Sequence, residues 1–267
     1  MLFCMPGKGN AEGFSVLVAP PRFELQANPG DTVRDHVEIT NPGDSPITFL
    51  MRTADWDMTE EGKTTFYPPE LQPGSCRPMV RIERHKIRLP AKGKKRYRFQ
   101  IELPEDALPG ECRVALLIES PPEDAVQAKA SSLTLPIRGR IAIVIYIAIG
   151  GAKPDLEISG MGLELHGEKP RPVIIVKNTG NAHGRTAGYV EATDATGKRF
   201  DFEITPLPVL AGQTRRIPLY QPTIDDRTPD DFTPPLELSA GALEWGDSST
   251  KIEKQKLVLQ ENSAAKP

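Results

Sequence analysis

The sequence has no basic block, few aromatic residues, three cysteines and no long apolar run, and each shortage removes a class of function. Lysine and arginine are scattered along the chain and the formal net charge is −3. Nucleic-acid binding needs a concentrated positive surface, so a nucleic-acid partner is not expected. No segment reaches the ~18 apolar residues of a membrane helix. Cys4, Cys76 and Cys112 are too few for a disulfide scaffold, and their spacing fits no zinc motif. Cys4 follows Phe3, where a lipoprotein signal needs a small residue. Cys76 and Cys112 either pair, if the protein is exported, or stand as half-buried thiols; the sequence leaves both open. His36, His85, His166 and His183 lack the short spacing of paired metal ligands and read as solvated.

Proline is abundant: 27 residues, about twice the usual frequency. It lacks an N–H and fixes φ, so it collects at strand edges and turns. Helical periodicity is scarce and period-two alternation common. Val33, Val37 and Ile39 alternate with Arg34, His36, Glu38 and Thr40, which predicts a strand with one wet face. Further strands are expected over Pro46–Thr53, Thr64–Tyr67, Met79–Leu89, around Tyr97, Phe99 and Ile101, and over Glu111–Glu119. Turns are expected at Asn41–Asp44, Glu60–Lys63 and Pro90–Gly93. A polar loop is read from Ser120 to about Ser131.

The second half repeats the grammar of the first. Val173 to Asn178, followed by Thr179-Gly180-Asn181, parallels Val37 to Asn41, followed by Pro42-Gly43-Asp44. The turn Pro208–Gly212 before Arg215-Arg216-Ile217 parallels Pro90–Gly93 before Lys95-Arg96-Tyr97. Turns are also read at Asp194–Gly197 and Gly246–Thr250. The expectation is an all-β chain of two immunoglobulin-like β-sandwich domains in tandem. Residues 1–13 read as a leader or signal remnant, 14–150 as the first domain, 151–260 as the second and 261–267 as a tail.

No catalytic constellation stands out, so no enzyme, cofactor or metal is expected. Gly43-Asp44-Ser45 and Gly246-Asp247-Ser248 superficially suggest a nucleophile turn, but both lie where Asp and Ser favour local hydrogen bonds. Asp225, Asp226, Asp230 and Asp231 near Glu237 read as a solvated acidic loop rather than a calcium site. Trp56 and Trp245 read as core plugs.

The most pronounced feature runs from Leu133 to Ile149. Leu133, Leu135, Ile137, Ile141, Ile143, Ile145, Ile147 and Ile149 fall at odd positions, interrupted only by Gly139, giving one aliphatic face. A strand this long is unusual. Ile141–Ile149 reads as buried core and Leu133–Ile137 as an edge offered for strand addition, with Arg138 and Arg140 at the transition.

Residues 15–150 resemble the N-terminal domain of the periplasmic pilus-assembly chaperones, the PapD-like family. The resemblance rests on Arg22-Phe23-Glu24-Leu25, Val37 to Asn41, Leu103 to Pro109, and Leu133 to Ile137 followed by Arg140 to Tyr146. It implies a chaperone that lends an aliphatic strand to an incomplete pilin subunit, with two cations between its domains holding the subunit's terminal carboxylate. Arg22 falls at the first cation position. Ala142 stands where the family carries lysine, and Arg140, two residues earlier on the same face, takes that place. The expected partner-binding residues are therefore Arg22, Leu133, Leu135, Ile137, Arg138 and Arg140. The expected function is that of a periplasmic or cell-envelope chaperone for pilus or other secreted subunits. The alternative is a non-catalytic surface or periplasmic scaffold or adhesion module.

Overall fold

The computed structural model describes residues 15–122, 126–130, 133–137, 139–222 and 230–259, with backbone alone for 126–130 and 133–137. The expected leader and tail, Arg138, Asp225 and Asp226 lie outside the described residues. The chain is all-β, with a 3₁₀ turn at Arg77–Met79 and no α-helix among the described residues. It divides into two compact units. The first comprises Met1–Trp56, Phe66–Ala107 and Cys112–Ile147; the second comprises Asp57–Thr65, Leu108–Glu111 and Ala148–Pro267. Each is an immunoglobulin-like sandwich.

The first twelve strands are β1 (Leu17–Ala19), β2 (Arg22–Ala27), β3 (Thr32–Thr40), β4 (Ile47–Met58), β5 (Thr64–Tyr67), β6 (Val80–Ile82), β7 (Lys86–Leu89), β8 (Lys94–Glu102), β9 (Gly110–Glu119), β10 (Val126–Ala130), β11 (Leu133–Ile137) and β12 (Arg140–Ile149). One sheet has the order β1-β3-β8-β6, the other β2-β12-β9-β4-β5 with β7 also on β4. Phe23 of β2 meets Phe99 of β8 edge to face at 5.0 Å, joining the two layers. Val37, Ile39, Phe49, Tyr97, Ile101, Leu116, Ile118, Ile143, Ile145 and Ile147 are fully buried between them. Pro20 and Pro21 stand where the chain leaves β1 in one sheet for β2 in the other, and neither can donate to a ladder.

A polar lock and a disulfide close the segment after β5. The carboxylate of buried Asp55 accepts from Gln72 N at 2.8 Å and Ser75 Oγ at 2.6 Å. Arg77 donates to the carbonyls of Pro68 and Glu70 at 2.7 and 2.8 Å. Cys76 and Cys112 are bonded, so the question the sequence leaves open resolves as a disulfide. Trp56 is a core plug, edge to face with Tyr146 at 5.5 Å and beneath the Arg113 guanidinium.

The second unit carries β13 (Leu156–His166), β14 (Lys169–Asn178), β15 (Gly184–Arg185), β16 (Ala187–Thr193), β17 (Arg199–Ile204), β18 (Pro208–Val209), β19 (Thr214–Tyr220), β20 (Leu236–Trp245), β21 (Ser248–Lys251) and β22 (Lys256–Leu257). β19 pairs with β14 through Thr214–Pro218 and with β17 through Leu219 and Tyr220, so one strand passes from layer to layer. Leu156, Ile174, Val176, Val190, Phe202, Ile217, Leu236 and Leu243 are among the residues of the core.

The repeated grammar has a physical cause. Asn41 is buried; its amide donates to Ser45 O at 2.8 Å and Pro90 O at 2.9 Å and accepts from Gly43 N at 3.0 Å. Asn178 does the same, donating to Ala182 O at 2.8 Å and Val209 O at 2.9 Å and accepting from Gly180 N at 2.9 Å and Asp155 N at 3.1 Å. Each asparagine ends a strand and rivets its own turn to the later glycine turn. Gly180 belongs to this rivet: a Cβ there would lie 2.4 Å from Lys153 O and 2.5 Å from Asp155 N.

Three expectations need correction. Met79–Leu89 is not one strand: β6 pairs with β8, and β7 with β4 in the opposite sheet. The break was visible as a change of parity, since Val80 and Ile82 are even and Ile87 and Leu89 odd. Between them Arg84 O accepts from the Tyr97 hydroxyl at 2.7 Å, and burial pushes that phenol up to about 12. The expected polar loop contains β10, whose Gln, Ala and Lys carry weak strand propensity; pairing with β11 overrides it. His183 is not solvated: its side chain is 9% exposed and Nδ1 lies 2.5 Å from Glu111 Oε2.

The Asp194 turn gives a pH prediction. The Asp194 carboxylate accepts from the Thr196 hydroxyl, from Thr233 N and from the N–H groups of Thr196 and Lys198, which lowers its pKa from 3.8 to about 2, the Thr196 hydroxyl contributing most. A lowered folded-state pKa means that this turn contributes stability above the ordinary value and loses it as pH falls through about 2. Carboxyl carbon shifts in NMR should titrate with a midpoint near 2, and Thr196→Ala should move that midpoint upward. A midpoint at the ordinary value in the wild type would contradict the network.

Candidate functional site

β9 and β12 are the neighbouring arms of one long hairpin, and β10 and β11 continue those arms beyond the sheet. The junction is at Gly139, whose carbonyl accepts from Ser120 N at 3.0 Å. Past it, β10 and β11 pair antiparallel, Val126 opposite Ile137 and Ala130 opposite Leu133. They form a separate two-stranded ribbon. β12 has β9 on one side and β2 on the other, whereas β11 has β10 on one side and no second neighbour among the described residues. The long alternating segment thus divides into β11, ending at Ile137, and β12, starting at Arg140. Ile143, Ile145, Ile147 and Ile149 are buried in β12, while β11 has only β10 beside it among the described residues.

Pro136 lies in β11, opposite Gln127. Proline within a sheet belongs on an edge strand. An edge of unpaired N–H and C=O groups accepts a further strand, and the alternation of Leu133, Leu135 and Ile137 would set its register.

Arg22 opens β2, and its Nε donates to Glu24 Oε1 at 2.8 Å, balancing the charge. Arg140 opens β12, with Nε 2.7 Å from Glu119 Oε1. The Ser120–Gly139 bond aligns these arms, which sets Glu119 beside Arg140. Arg52 of β4 also approaches Glu119, at 3.4 Å. Two guanidiniums on one carboxylate leave a formal excess of one positive charge next to the ribbon. β2 and β12 are hydrogen-bonded neighbours, so Arg22 and Arg140 belong to adjacent strands. Sequence reading misses Glu119 and Arg52, because their meeting depends on the register of β4 against β9, which no local pattern encodes.

The fold and ribbon define a class: a tandem immunoglobulin-like protein with a separate two-stranded ribbon. The chain matches no protein-family model and no curated protein. It is similar to the solved class 5 fimbriae chaperone CfaA, at 12% identity over 91% of this chain and 99% of that one, TM-score 0.48. It is also similar to a chain of the CsuC–CsuE chaperone–tip subunit pre-assembly complex from Acinetobacter baumannii, at 15% identity over 93% and 100%, TM-score 0.45. The YadV chaperone is similar at 14% identity over 92% and 100%, TM-score 0.45.

Proposed function

We propose that this protein is a periplasmic chaperone-like protein that binds pilus or other secreted subunits by strand addition along Leu133–Ile137, with Arg22 and Arg140 as anchor for a terminal carboxylate. The observation that carries the reading is that β11, beyond the point where β2 covers β12, has only β10 beside it among the described residues. A client strand laid there would extend the ribbon by backbone hydrogen bonds, with the aliphatic side chains fixing register. The excess charge at Arg52, Glu119 and Arg140 favours an arriving carboxylate, and guanidinium can hold it by paired hydrogen bonds. The Cys76–Cys112 disulfide fits an oxidising compartment, as expected outside the cytoplasm. A scaffold or adhesion module would instead have β11 paired on both sides.

The test is affinity capture from the native cell envelope. The wild-type chain is expected to retain a protein whose recovery falls at least about tenfold with Leu133→Asp/Leu135→Asp and several-fold with Arg22→Ala/Arg140→Ala, while the thermal transition stays unchanged. Equal recovery by the aspartate variant overturns strand addition; equal recovery by the arginine variant overturns the anchor alone.

A further inference from the structure

The arginines that look scattered in sequence converge on the solvent face of the β1-β3-β8-β6 sheet. Arg34 of β3 and Arg81 of β6 both sit opposite Gln100 of β8, one on each side. Arg98 lies two residues along β8, opposite His36, and Arg96 two further, opposite Glu38. All four arginines are exposed. A shallow depression of about 300 Å³ lies among Arg34, Arg81, Arg98 and Gln100, with Asp35 and Glu83 also at its wall.

The acids of this face are already engaged. Glu38 pairs with Lys94, Glu83 with Lys95 at 3.0 Å and with the backbone N–H of Arg98, Asp35 accepts from His36 N at 2.7 Å, and Glu102 accepts from Gln100. Arg34 spends its Nε on Gln100, and Arg81 spends one nitrogen on the carbonyls of Pro78 and Val80. None of the four guanidiniums has a carboxylate within ion-pair distance among the described residues. On a chain of net charge −3, this is a local cationic face.

We infer that this face docks an extended acidic segment of a partner protein, with carboxylates at alternate positions. The spacing supports a strand-like occupant: Arg96 and Arg98 are about 6.8 Å apart along the strand, the repeat of same-face side chains in an extended chain. Arg34 and Arg81 lie on diagonals from Arg98 at about 7–8 Å. The interspersed Glu38, Glu83 and Glu102 disfavour a uniform anionic surface such as a lipid headgroup layer, which would meet them as repulsion. A polypeptide can place its carboxylates over the arginines and leave neutral side chains over the acids.

The test uses a labelled ten-residue peptide alternating glutamate and threonine, a block peptide of the same composition, and phosphatidylglycerol vesicles, all at low ionic strength. The alternating peptide is expected to bind wild type about tenfold more tightly than Arg96→Glu/Arg98→Glu, and more tightly than the block peptide binds wild type, with vesicles not retained. Retention of the variant's Trp56 thermal transition establishes that the sheet is intact. Equal binding to wild type and variant, equal binding of the two peptides, no binding, or arginine-dependent retention of vesicles each overturns the inference.

Discussion

Asn178→Ala is expected to destabilise the second unit by about 3–5 kcal/mol, a large effect for a single polar side chain. Asn178 is wholly buried and its side chain makes four hydrogen bonds. Truncation removes all four, taking the Asn178 partner from the carbonyls of Ala182 and Val209 and from the N–H groups of Asp155 and Gly180. A buried polar group left unpaired costs about 1–3 kcal/mol, more than a typical net hydrogen bond contributes. Asn178→Asp is nearly isosteric but cannot donate to the two carbonyls, so it should be at least as damaging. Asn41→Ala, with three such bonds, should cost somewhat less. Urea titration followed by Trp245 in a Trp56→Phe background isolates the second unit, because each unit holds one of the two tryptophans. An unchanged midpoint for Asn178→Ala would show that the turns stand without the rivet.

Removal of the Cys76–Cys112 disulfide should cost the first unit about 4 kcal/mol, the loop-closure entropy for a loop of this length. The bond spans 36 residues and ties the segment before the 3₁₀ turn to β9. Cys76→Ala/Cys112→Ala, read by Trp56 in a Trp245→Phe background, should lower the urea midpoint by about 2 M at an ordinary slope. Wild type under thiol reductant should converge on the same midpoint once the unit is opened, because both sulfurs are buried. A Trp56 transition indifferent to the double substitution would mean that the Asp55–Arg77 network holds the segment by itself.

Much of this fold is legible in the sequence because its information is local. The alternation Val33 to Thr40, the turn at Pro90–Gly93 and the odd-numbered isoleucines of β12 each declare a strand or its end within ten residues. The paired Asn-x-Gly turns reveal the repeat. What is not legible depends on register. β10 is a strand only because β11 pairs with it. Arg52, Glu119 and Arg140 meet only because β4, β9 and β12 align. Four separated arginines become one face only when β3, β6 and β8 are laid side by side. The edge character of Leu133–Ile137 falls between: its aliphatic alternation is visible, but the same pattern would serve a central strand, and only the sheet order distinguishes them.

Amide hydrogen exchange over Leu133–Ile137, measured by mass spectrometry on the protein alone and on the complex captured from the envelope, tests strand addition most directly. β11 pairs with β10 on one side, so the amides directed away from β10 are the ones a client strand would take up. Strand addition predicts that exchange in this segment slows about tenfold or more in the complex, while Ile143–Ile149, already buried between β2 and β9, changes little. Unchanged exchange at Leu133–Ile137 in a complex that retains its partner would contradict it.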